Sequence, residues 1–289
     1  MSIVHAYPAR SALRARGSLL AALCLAAAGR GLQAQAHVNP SFVVKSLMVD
    51  ATSSDRLTDA TIVQTAGPEG AVVQVNFATS MPSQMLGRVL EDALLGGRKP
   101  SELTVASVDG NTNAVVEGAT VATHVQEIRF PVANASAQAS TGFSVKLFPA
   151  PSRSAPATIT PPHLVAGMHP MLQNDFKLTI DQVDCRRVLS LSPIVVSFAG
   201  SAKGVGPMQV QPIVIRVGQA DLAGFQAWLT SGATRNGSLS FMEPNLATAM
   251  LTIQLNGMKV TRIVTSTSNA MYSDVTVTAT GVSVAGWKG

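Results

Sequence analysis

The chain has 289 residues, of which 46% are hydrophobic and 13% charged, with a formal net charge of +5. Residues 1–36 carry four arginines (Arg10, Arg14, Arg16 and Arg30) and no acid, so the remainder holds 17 basic against 16 acidic side chains. That balance excludes the basic face expected of a nucleic-acid binder, and the single cysteine it retains, Cys185, excludes an intramolecular disulfide there.

Chain order begins with the arginines, an apolar run over residues 19–28 and the small-x-small triplet Ala34-Gln35-Ala36. This order reads as a secretory signal over residues 1–36, cut after Ala36. The apolar run is too short for the roughly 20 residues a membrane-crossing helix needs. Leu23 immediately before Cys24 is wrong for a lipoprotein cut. The expectation is a secreted or periplasmic protein with no membrane segment after cleavage, built of two domains, 37–155 and 156–289, since domains of roughly 100–150 residues are the commonest.

The second domain echoes the first. Residues 41–50 open with a strand, and residues 174–184 open again with Phe176, Leu178 and Ile180 alternating with Lys177, Thr179 and Asp181, the pattern of a strand with one buried face. Phe42 and Phe176 anchor the match. Residues 59–64 correspond to residues 192–198, each followed by a glycine-bearing turn, residues 67–70 or 200–206. Strands over 71–77 and 210–217 follow.

Each copy then carries a helix. In the first, Ser83 caps a stripe of Met85, Leu86, Val89, Leu90, Ala93 and Leu94 that ends at Gly96-Gly97. In the second, Asp221 is the expected cap, Leu222, Phe225, Trp228 and Leu229 the stripe, and Gly232 the stop. A stripe at this spacing is core. Strands are expected over 103–108, 115–122, 126–132 and 143–148 in the first copy, and over 238–242, 249–255, 259–264 and 275–284 in the second. Residues 149–162, rich in Pro, Ser and Ala, read as a linker. The fold class is therefore mainly β: two tandem small β-barrel or sandwich domains, each with one flanking α-helix.

Residues 225–258, with Phe225-Gln-Ala-Trp228, then Asn236-Gly-Ser238 and a second strand to Met258, preceded by the opening strand Phe176 to Asp181, resemble contractile-tail tube proteins of bacteriophages and their secretion-system relatives. The likeness covers most of residues 170–285, and the first copy shares only the order of elements, with residues 83–97 as helix and 101–105 as the strand after it. The resemblance implies a small barrel with one helix, six domains closing into rings that stack around a lumen, and hence, for two fused copies, a trimer presenting six domains. A secretory signal is a departure from that family, as is the lack of an aromatic helix in the first copy.

Chemistry is not signalled. The five histidines, His5, His37, His124, His163 and His169, show no zinc-ligand spacing. The glycine-rich residues 200–206 include Lys203 but lack the Gly-Lys-Ser/Thr ending of a phosphate loop. Asp175, Asp181 and Asp184 read as solvated charges, and Cys185 beside Arg186-Arg187 as a small apolar residue. The expectation is a non-enzymatic structural protein with no catalytic, cofactor or metal residues, associating with itself and not with nucleic acid. The alternative is an exported tandem β-sandwich that binds or adheres to a partner through its loops.

Overall fold

Alternating apolar and polar residues turn most of this chain into strands with one dry and one wet face. A computed structural model describes residues 43–67, 70–80, 82–97, 99–162, 170–265 and 271–285. Phe42, His163, His169 and the signal expected over residues 1–36 lie outside the described residues. The first half contains β1 (Val43–Val49), β2 (Thr52–Arg56), β3 (Asp59–Gly67), β4 (Gly70–Thr79), α1 (Gln84–Leu94), β5 (Ser101–Asp109), β6 (Val115–Thr123), β7 (Val125–Arg129), β8 (Ala133–Asn134), β9 (Phe143–Leu147) and β10 (Ala150–Ser154). The second contains β11 (Phe176–Ile180), β12 (Val188–Leu191), β13 (Val195–Ser201), β14 (Gly204–Val210), β15 (Ile213–Gly218), a 3-10 turn (Gln219–Asp221), α2 (Leu222–Ser231), β16 (Arg235–Met242), β17 (Ala249–Thr265), β18 (Tyr272–Thr278) and β19 (Gly281–Ala285).

The fold is mainly β, with a half-barrel sheet and a nearly closed barrel sheet. Pairing follows one scheme twice. β1 pairs β5, β5 pairs β6 and β6 pairs β10; likewise β11 pairs β16, β16 pairs β17 and β17 pairs β19. β4 pairs β9, which pairs β7, just as β15 pairs β18, which pairs the C-terminal part of β17. Even the irregularities recur: the β7–β9 ladder slips between Val125 and Glu127, and the β17–β18 ladder between Val260 and Arg262.

Several local expectations are corrected. β10 lies inside the stretch expected to be a linker, where Ser152–Ser154 pair with β6, Ala150 and Pro151 pair with β4, and Ala150 is buried. The strand expected over 210–217 is two, parted at Gln211-Pro212, where proline has no amide hydrogen for the ladder. The expected strands 249–255 and 259–264 are one, β17. Its bend comes at Gly257, in the left-handed region at φ +61°, with Thr280 packed so close that a Cβ there would collide with the threonine hydroxyl.

Each helix is fixed against its sheet by a different device. The Ser83 hydroxyl accepts from Leu86 N–H at 3.2 Å, and the buried Asp55 carboxylate accepts from Ser83 N–H at 2.6 Å and from its hydroxyl at 2.9 Å. Asp221 does not cap α2: it closes the 3-10 turn and makes no capping bond. α2 is held instead by Phe225 and Trp228, both fully buried, with the indole N–H donating to the Ala233 carbonyl at 2.7 Å. Leu229 is 38% exposed, since the residue after Trp228 turns away from the sheet. Trp228→Ala is expected to cost about 3–5 kcal/mol through the cavity it leaves, and Ser83→Ala about 1 kcal/mol through the lost cap; urea unfolding of both variants checks the order and the size.

Candidate functional site

The boundary drawn near residue 155 does not part the sheets. β13, from the second half, pairs antiparallel with β7, from the first: Val195 opposite Arg129, Val196 opposite Ile128, Ser197 opposite Glu127. The same line of pairing continues where Phe130 N–H donates to the Ile194 carbonyl at 2.9 Å and where Leu191 and Ser190 of β12 lie opposite Ala133 and Asn134 of β8. Ile128, Ala133, Ile194 and Val196 are each 0% exposed, and one apolar core runs from α1 through this joint to α2. A shared strand ladder with a dry centre therefore joins the halves.

The joint is made by a hairpin that leaves its own barrel. β12 and β15 stay paired at the base, and β13 and β14 form the arm that crosses to β7. The chain leaves the base at Ser192-Pro193 and returns at Gln211-Pro212, where the ladders are interrupted. At the tip, Ser201 lies opposite Gly204, so the glycine-rich residues 200–206 form a hairpin turn, as their lack of a phosphate-loop ending predicts. Gly200 takes φ +135°, and a Cβ there would strike the Gly204 carbonyl, so this position demands glycine.

Among the described residues, β2, β11, β14 and β19 each pair with a single neighbour, and two further edges lack a cover of the kind β13 gives β7. β3 pairs only with β4. The stretch of β17 beyond Met258 pairs only with β18, although the matching edge of β7 carries β13. Val63 on β3 is 44% exposed and Val264 on β17 is 41% exposed, while Ile62 and Ile263 are half-buried. Unpaired edges of this length are templates for further strands.

The residues weighed for chemistry are dispersed. Asp181 and Asp184 are exposed, as expected of solvated charges. Asp184 forms an ion pair with Arg186 at 2.5 Å, and this hydrogen bond takes its carboxyl down to about 2. Between them Cys185 is half-buried in a cleft of 520 Å³ beside β11, and burial pushes its thiol up to about 12, the reverse of a nucleophilic cysteine. Arg216 and Asp274 face each other at 2.8 Å beside a smaller cleft of 370 Å³ that reaches Tyr272 and shares Ala135 with the first. Among the described residues no three His, Cys, Asp or Glu side chains come together as a metal site would require.

His124, which the sequence offers only as one of five histidines without zinc-ligand spacing, is buried, a property that a lone histidine between two strands does not announce. It occupies the break between β6 and β7, where its carbonyl accepts from Phe148 N–H at 3.0 Å and its buried Nε2 has no hydrogen-bond partner. Burial lowers its pKa from 6.5, and the more distant carboxylate of Asp92 only partly opposes that shift.

Comparison with models of known protein families and with curated protein sequences returns no match for this chain.

The His124 environment sets a pH dependence. With the folded pKa below the unfolded value of about 6.5, the unfolded chain binds more protons in between, so stability is full above that value and falls as pH drops below it. Thermal melts between pH 8 and pH 5 are expected to show this decline, and His124→Leu to flatten it. A second expectation concerns Cys185: at pH 8 a thiol reagent should label it far more slowly in the folded protein than in urea.

Proposed function

We propose that this chain is a non-enzymatic structural protein, tail-tube-like in character, which is exported and associates with copies of itself into rings. The observation that carries the reading is the joint between β7 and β13. The chain already contains one strand-to-strand junction between two similarly wired β units, with 0% exposed side chains at its centre, and it presents further edges of the same kind. Head-to-tail junctions between like units close into rings when the rotation between units permits. Three chains would then supply six units, the number the resemblance to tube proteins implies.

The physical chemistry is consistent with assembly. β3 and the end of β17 set aliphatic side chains beside backbone groups that are unpaired among the described residues, and water released from both would favour association. The near balance of charge after residue 36 leaves little net repulsion between copies. Sedimentation of the purified protein over a range of concentrations, with negative-stain images of the heaviest species, is expected to show discrete closed oligomers. A chain that remains monomeric at the highest concentration reached would end the proposal.

A further inference from the structure

Resting on the self-association reading above, we infer that the outer edge of β3 in one copy docks antiparallel on the free edge of β17 in the next, in the register that β13 already uses on β7. The argument is internal to the chain. Ladder slips place Val260, Arg262, Ile263 and Val264 as the counterparts of Val125, Glu127, Ile128 and Arg129. On the other side, the hairpin of β3 and β4 stands where β12 to β15 stand in the second half: Phe77 and Ile215 occupy matching places opposite Val145 and Val275.

Backbone direction then fixes the register. In the second half, Val195 turns its carbonyl inward to Gln211 N–H at 2.9 Å, while Ile194 turns outward to Phe130 N–H at 2.9 Å. Groups alternate along an antiparallel strand, so Val196 also faces outward, toward Ile128. In β3, counting from the closing pair Gly67 and Gly70, Val63 faces β4 and the backbone groups of Ile62 and Gln64 face outward. Ile62, Val63 and Gln64 thus match Ile194, Val195 and Val196 in both order and direction, with Pro193 as the additional residue at the bend. The docked pairs are Gln64 with Ile263, Val63 with Val264 and Thr65 with Arg262.

Exposure agrees with a joint awaiting its partner. Val195 is 4% exposed in the joint while its counterpart Val63 is 44% exposed, and Ile128 and Ile194 are 0% exposed while their counterparts Ile263 and Ile62 are half-buried. The two edges differ from each other, so the contact is heterologous: each copy offers β3 at one end and accepts β3 at the other.

Disulfide capture tests the register, with Cys24→Ser and Cys185→Ser as background. Chains carrying only Val63→Cys, mixed with chains carrying only Val264→Cys, are expected to give a covalent dimer on oxidation, and each alone to give none. Gln64→Pro, which removes one outward N–H, is expected to weaken self-association at least about tenfold, or ~1.4 kcal/mol. Its melting midpoint should match that of Gln64→Thr, which should associate as the parent does. Oligomers that form without the mixed cross-link, or that tolerate the proline, overturn this pairing while leaving self-association standing. Parent chains that do not associate overturn both.

Discussion

The backbone pairing of β13 with β7 is the constraint on which the described structure depends. Without it the half-barrel of the first half would end at β7 with an open edge, and Ile128 and Val196 would lose the dry surroundings each provides for the other. With it, the core is continuous and residues 39–289 behave as one compact unit. A loop contact could not do the same, because it would leave backbone groups of β7 without partners in a largely apolar place.

Much of the fold was legible because alternation and helical stripes are local. β11 reads directly from Phe176, Leu178 and Ile180, both helices from their stripes, and the tip of β13 and β14 from its glycines. The recurrence of one element order over the two halves was legible for the same reason, and the pairing scheme repeats with it. Composition misled at residues 149–162, since Pro and Ser suggested a linker while Ala150–Ser154 found edges to pair with. Pro151 is tolerated because β10, which lies between β4 and β6, changes partner there: Pro151 is opposite Val72 of β4, and pairing with β6 starts only at Ser152.

The joint itself was not legible. Nothing in the residues of β13 says whether its partner lies in its own barrel or the neighbouring one, because Val195 and Val196 would bury equally well in either. What selects the neighbour is a pair of breaks, Ser192-Pro193 and Gln211-Pro212, that free the arm from its base. The site candidates were invisible for a related reason: an unpaired edge is a property of topology, and the valines that flank it look like any other strand valines. The burial of His124 was not legible, because a single histidine has no spacing to announce its surroundings.

The reach of the β13–β14 arm bears on how the chain matures. β7 ends at Arg129, but the strand that covers it is not complete until Ser201, and its hairpin not until Val210. As synthesis proceeds from the N-terminus, the first half therefore waits with a bare edge for some seventy further residues before its own sheet can be finished. Long sequence separations of this kind slow folding, so the nascent half-barrel is the stage at which a holding chaperone would matter most.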